Sequence, residues 1–396
     1  MFPWFAFGHF TPFLHLSNKL AERGHSVSFS LATLHQLNHY PNLNNFYPLL
    51  VPQVDGLPPG VETTSDVPFP LHAHLCVAFD QTQDQVETIL SNVKPDFIFY
   101  DFSLWMPTLA RQLGIKAIYY AVQGWNQHSK LGGKPKDTVE DLIQPPPELV
   151  QTKSKEFQIA QLKILVEDHG TGMSFYFLII SSIIGSDAIA LRTYHEVERP
   201  YCDYLRHQIG KPLLLTGPVL PETSVTKLDE NWTNWLCNFE QGAVVYCAFR
   251  SQNTLQKEQF QELLLGFELC GQPFLVDLST PDGCATIKKA LPEGFEERGS
   301  KWESLLIDCQ IVCVPHIFDQ IVNARFMVEE LKVAVKVERE DNGWIAKESL
   351  CKAIISAVDK NSEVAGLVKH NHAKLKGVIT SQGLQERYLD TFIQSL

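Results

Sequence analysis

The chain has 396 residues, a formal net charge of −12 from 33 Lys+Arg against 45 Asp+Glu, and a hydrophobic share of 44%. At ~100–200 residues per domain this is enough apolar material for two cores, and it excludes a disordered chain. The acidic balance argues against nucleic acid as a partner, which would leave a basic footprint on the protein.

Residues 1–7 form an aromatic-rich apolar run that predicts a strand. Gly8-His9-Phe10-Thr11 follows, and Pro12 suits the first position of a helix. Phe13, Leu16, Leu20 and Ala21 lie at helical spacing, and Gly24 stops that helix. Residues 26–32 alternate like a strand, and the Pro-rich stretch 52–70 predicts a surface loop. Then come a strand over 96–101, a helix over 104–113 closed by Gly114, and a strand over 115–122. Residues 126–155, with Pro145-Pro146-Pro147, predict a loop over a pocket mouth, and a helical pattern covers 156–184. Strands at 187–192 and 213–216 complete the first half.

The polar stretch 218–242 reads as a connection, and a second start follows. Strands are expected at 243–248, 273–277, 311–314 and 334–337, with helices at 255–269, 302–307 and 321–331 and a helical tail to Leu396. Strands alternating with helices argue for parallel, doubly wound sheets. The domains are therefore drawn at 1–220 and 243–396, with a linker at 221–242. The second half is short of strands, and the interval from Leu275 to Ile311 would ordinarily hold one more βα unit.

No charged region precedes the apolar start, since the first basic residue is Lys19, so no signal peptide is expected. The longest apolar stretch, 175–185, falls short of the ~20 residues of a membrane helix. Nine scattered Cys without a C-x-x-C suggest neither a disulfide framework nor a zinc site, and point to a reducing, cytoplasmic home. Dinucleotide, P-loop, nucleophile-elbow and H-E-x-x-H signatures do not occur.

In open α/β sheets, ligands bind beyond the carboxyl ends of the strands. That rule selects Gly8-His9 and Asp101 in the first half, and Ser251 and Asp319-Gln320 in the second. A histidine there can take a proton near neutral pH, and a carboxylate beside it would fix its tautomer. The structural alternative is a loop histidine and a helix-capping aspartate. Ser300-Lys301-Trp302-Glu303 fits a capping box. It equally fits a helix N-terminus that binds phosphate, with Glu303 accepting ribose hydroxyls. Asp319-Gln320 suits a polyhydroxylated ligand, or an Asx-type cap before Ile321. Trp4, Phe5, Phe7 and Phe10 either line a cleft or belong to the core.

The segments FPWFAFGHFTPFLHLSNKLAERGH, KPDFIFYDF, RQLGIKAIYY, LLLTGPVLPE, LPEGFEER and WESLLIDCQIVCVPHIFDQ resemble the plant UDP-dependent glycosyltransferases of family 1 over nearly the whole chain. The likeness is strongest to the branch that extends the sugar chain of flavonoid and anthocyanin glycosides. The resemblance implies an α/β GT-B fold, two doubly wound Rossmann-like domains facing across a cleft, the C-terminal one truncated internally. It implies sugar transfer from a UDP-sugar to an acceptor hydroxyl with inversion. His9 would be the base and Asp101 its partner. Ser251 and Ser300 would contact phosphate, Glu303 the ribose, and Asp319 and Gln320 the donor sugar. No metal or other cofactor is implied beyond the UDP-sugar itself.

The sequence departs from the family pattern in three places. Glu297-Arg298-Gly299 runs straight into Ser300, without the stacking Trp, the Gln and the His-Cys-Gly stretch at the front of the nucleotide-sugar box. Arg250 stands where the family has Gly. Met1 falls inside the expected first strand, which would shorten a sheet edge. These departures predict weakened UDP-sugar binding and impaired transfer, and they leave a second reading: a non-catalytic relative that binds a small phenolic or a partner protein.

Overall fold

The βα alternation of the first half folds into one parallel sheet. A computed structural model describes residues 1–31, 45–122, 168, 172–219, 230–240, 243–248, 255–277, 280–292, 309–316, 318–359 and 361–396. Its first unit holds β1 (Ser28–Leu31), β2 (Asn45–Pro48), β3 (Phe97–Tyr100), β4 (Lys116–Ala121), β5 (Ala188–Leu191) and β6 (Leu213–Leu215). β1 pairs with β2, and β3, β4, β5 and β6 pair in that order, all parallel.

Residues 1–7 do not form the expected strand. They make a single parallel bridge, Phe2 to Tyr100, before the chain coils into the helix Phe7–Ala21. That short piece nevertheless joins the two sets of strands. The Phe2 N–H donates to the Phe99 carbonyl at 2.8 Å, and the Ser30 N–H donates to the Met1 carbonyl at 3.0 Å. The order is therefore β2, β1, Met1–Phe2, β3, β4, β5, β6. The shortened strand lies in the middle of the sheet, not at its edge. The strand order reverses between Met1–Phe2 and β3, the switch point at which doubly wound folds bind ligands.

The first helix starts at Phe7, earlier than Pro12 suggested. A proline in the sixth helical position removes one backbone bond, to the Gly8 carbonyl, and Gly8 is exposed to solvent. Burial of Phe10, Phe13, Leu16 and Leu20 outweighs that loss. β2 and the helices His72–Asp80 and Gln83–Val93 were not anticipated from the sequence.

The second unit contains β7 (Val245–Ala248) paired with β8 (Phe274–Asp277), and β9 (Ile311–Cys313) paired with β10 (Ala334–Lys336), both pairs parallel. Its core packs Phe260, Leu263, Leu264 and Phe267 of the helix Lys257–Leu269 with Leu350, Ala353 and Ile354 of the helix Lys347–Val358. Gly266 permits the close approach of these helices, because a Cβ there would sit 3.0 Å from the Lys347 carbonyl.

The domain drawn from 243 to Leu396 needs correction at its end. Residues 382–396 belong to the first unit. The helix Leu384–Gln394 sets Phe392 against Phe99 of β3, pairs Glu386 and Asp390 with Arg23, and receives the His195 N–H on the Tyr388 hydroxyl at 2.9 Å. Gln385 is its principal anchor. Its Oε1 accepts from the Val219 N–H at 3.0 Å and from the Tyr194 hydroxyl at 3.1 Å, and its Nε2 donates to the Thr216 carbonyl at 2.8 Å. The turn it grips is tight: Gly217 has φ 70° and a Cβ there would meet Gln385 at 2.8 Å, and the buried Val219 has φ 44°. Each buried backbone group left without its partner costs ~1–3 kcal/mol. Gln385→Ala is therefore expected to lower stability by about 2–5 kcal/mol in urea unfolding followed by tryptophan fluorescence. A change under 0.5 kcal/mol would refute that anchor.

Candidate active site

The switch point brings two of the expected site residues together. His9 lies in the first turn of the helix Phe7–Ala21, a few residues after the bridging Met1–Phe2, and Asp101 directly follows β3. The His9 Nδ1 and Asp101 Oδ2 are 2.5 Å apart, and both side chains are nearly buried. The other carboxylate oxygen, Oδ1, accepts the Trp4 backbone N–H at 2.5 Å. Asp101 does not cap the following helix, Met106–Gln112, whose N-cap is Trp105.

This geometry has a chemical consequence. A buried carboxylate at Nδ1 selects the tautomer with its proton on that nitrogen. The lone pair is then on Nε2, where it can accept a proton from a hydroxyl. The imidazolium formed would stay paired with Asp101, the logic of a triad without its nucleophile. Tyr119, on β4, is buried with its phenol pushed well above its ordinary range, first by burial and then by the Asp101 charge. It remains neutral and leaves the Asp101 charge to His9.

The surroundings are aromatic. Phe79 gathers Phe2 at 4.8 Å, Phe5 at 5.0 Å and Trp4 at 5.1 Å between ring centroids. Trp4, Phe5 and Phe10 are buried in this core, and Phe7 alone of the four aromatics stays half-exposed. Two site features had no clear sequence signal. A backbone N–H such as that of Trp4 is invisible to residue-type reasoning. Phe102 carries no sequence signal beyond its place next to Asp101. It has φ 47°, a region costing a bulky residue ~1–3 kcal/mol. Its ring lies 4.9 Å from the His9 ring and 6.4 Å from that of Trp4.

In the second unit, Gln320 lies in the first turn of the helix Phe318–Arg325, which begins before the expected Ile321. Its Oε1 accepts the His316 N–H at 3.0 Å, a reach back over the helix start like that of a capping box. Asp319 is part of the same helix, but its side chain lies outside the described residues. Ser251, Ser300 and Glu303, the helix expected at 302–307 and the loop expected at 126–155 also lie outside them.

The sequence is 42% identical to the UDP-glycosyltransferase 79B10 of Arabidopsis thaliana, over all of this chain and 96% of that protein. It is equally 42% identical, with the same coverage, to the anthocyanidin 3-O-glucoside 2'''-O-xylosyltransferase of Arabidopsis thaliana. The chain belongs to the plant UDP-glycosyltransferases. No family model matches it. The fold agrees with this membership. Phytolacca americana UGT2, solved with UDP-2fluoro-glucose and pterostilbene, superposes with TM-score 0.76 at 19% identity, covering 99% of this chain and 98% of that one. UGT89C1 of Arabidopsis thaliana with UDP-L-rhamnose gives 0.74 at 16% identity, over 99% and 97%. These glycosyltransferases share the GT-B class, and the parallel sheets of this chain fit it. The 79B10 match runs over 441 aligned positions against the 396 residues here, so the relative carries residues inside the match that this glycosyltransferase lacks. Among the described residues no helix is long and apolar enough to cross a membrane.

Proposed function

We propose that this glycosyltransferase moves a sugar from a UDP-sugar to a hydroxyl of a flavonoid- or anthocyanin-type glycoside, with inversion at the anomeric carbon. The observation that carries the reading is the His9–Asp101 pair at the switch point of the first sheet. His9 Nε2 takes the proton of the acceptor hydroxyl as its oxygen attacks the anomeric carbon. UDP leaves from the opposite face. Asp101 holds the tautomer before transfer and the positive charge after it.

The acceptor class is supported by the relative named for xylosyl transfer to an anthocyanidin 3-O-glucoside, and by the phenol pterostilbene bound in a protein of the same fold. For the donor side we assign phosphate contacts to Ser251 and Ser300, the ribose to Glu303, and the sugar hydroxyls to Asp319 and Gln320. The support for these five is the match of their segments to the family pattern. A cytoplasmic location agrees with the odd, scattered cysteines.

Incubation with UDP-glucose, UDP-xylose or UDP-rhamnose and an anthocyanidin 3-O-glucoside is expected to yield a product heavier by one sugar in mass spectrometry, with inverted configuration by NMR. Retention of configuration would overturn the mechanism. Binding of the phenolic with no transfer from any donor would favour the non-catalytic reading.

A further inference from the structure

We propose that Phe102 is a positioning residue for His9, acting through its ring and through its backbone. The inference rests on the assignment of His9 as the base.

Successive residues of an extended strand point to opposite faces. Asp101 and Phe102 follow β3 directly, yet both contact one imidazole. Asp101 meets it at Nδ1 at 2.5 Å, and the Phe102 ring lies against it at 4.9 Å and 48°. The left-handed φ of 47° at Phe102 breaks the strand alternation and makes this possible. Among the described residues, positive φ outside glycine recurs at Lys94, Val219 and Lys332. Lys94 is a helix C-cap, where that conformation is common. Phe102 caps nothing. It stands between a strand and the helix Met106–Gln112, in a conformation that persists only when its surroundings over-determine it.

Those surroundings are identifiable. Phe102 is 8% exposed, and its ring packs edge-on to Trp4. The backbone N–H of Trp4 in turn fixes the free oxygen of Asp101. Trp4, Asp101, Phe102 and His9 thus close a ring of contacts. A carboxylate at one nitrogen holds the tautomer only while the imidazole stays on it, and the Phe102 ring tilted against the imidazole keeps it from turning away from Asp101. The backbone turn aims the carboxylate, and the side chain holds the base it aims at.

The test uses the full-length chain with 15N-labelled histidine. In the wild type, His9 is expected to show a single neutral tautomer, protonated at Nδ1. In Phe102→Ala its two ring nitrogens should move towards averaged shifts, and Phe102→Leu should restore the locked pattern. Phe102→Gly tolerates the positive φ and removes the ring alone, so it answers the question if the alanine variant does not fold. In transfer assays the alanine or glycine variant should lose kcat on the order of ten- to a hundredfold, with KM for the UDP-sugar unchanged. A merely structural role would lower Tm and move neither the tautomer nor the split between kcat and KM. A locked tautomer with wild-type kcat in both variants would overturn the inference. Averaged shifts in the wild type itself would instead overturn the assignment of His9 as the base.

Discussion

His9→Ala should lower sugar transfer by 10²–10⁴-fold while leaving UDP affinity within about twofold of wild type. The range is what a positioned general base contributes. The split follows from place: His9 sits at the switch point of the first sheet, on the chemistry expected of the acceptor side. Asp101→Asn should be nearly as damaging for a different reason. An amide can present its NH2 to Nδ1, which reverses the imidazole tautomer and puts the proton on the nitrogen that must accept one. The variant should stay folded, because an amide oxygen can still receive the Trp4 N–H. Initial rates with a labelled UDP-sugar and calorimetric titration with UDP check both halves. A large loss of UDP affinity in His9→Ala would contradict the base assignment.

The second large effect lies on the donor side. We place the gap that the family pattern implies between Arg298 and Gly299, and inserting the relative's residues there should tighten UDP binding by roughly 10²–10⁴-fold. The family pattern has at this place a tryptophan that stacks on uracil and a histidine that touches the diphosphate. Base stacking is worth ~1–3 kcal/mol and a charge-assisted hydrogen bond ~1.5–3 kcal/mol. Together they account for the range at about 1.4 kcal/mol per tenfold. The excess of aligned positions over the length of this chain agrees with such a gap. In the second unit, the described strands form two separate pairs, β7–β8 and β9–β10. In a doubly wound order, a unit missing between β8 and β9 in sequence would be the third strand, seated on the outer side of β8. Titration of the native and restored chains with UDP measures the gain. Equal affinity would show that other residues hold the nucleotide.

The sequence made the site more legible than the elements around it. His9 and Asp101 are candidates because strand ends in a parallel sheet are the places where ligands bind, and the structure sets the two side chains in contact. The element carrying His9 was misread. Aromatic residues 1–7 have strand-like composition, but only Phe2 bridges a neighbour, and burial of Phe10 and Phe13 draws the helix back past Pro12. Tertiary packing overrode a local boundary signal. β2 went unseen because Asn45–Pro48 is half-exposed and ends in proline, features that mask a strand. The cleft-lining alternative for Trp4, Phe5 and Phe10 gave way to the core, since Phe79 comes from a distant helix that the residue pattern did not reveal. Gln320 illustrates a further limit: a side chain that suits a sugar hydroxyl also suits the start of its own helix, and residue type does not separate the two.

The return of the closing helix to the first unit bears on how the chain is made. Residues 382–396 complete that unit, yet the ribosome delivers them only after the whole second unit. Until then the turn at Thr216–Val219 lacks Gln385, and Phe99 lacks Phe392. The second unit has no such wait, and can reach its native state while its predecessor is still open. Contacts spanning more than 300 residues, such as Arg23 with Asp390, form last and slow the final step. The first sheet, synthesised first, is therefore the one exposed longest to chaperones and to misassembly.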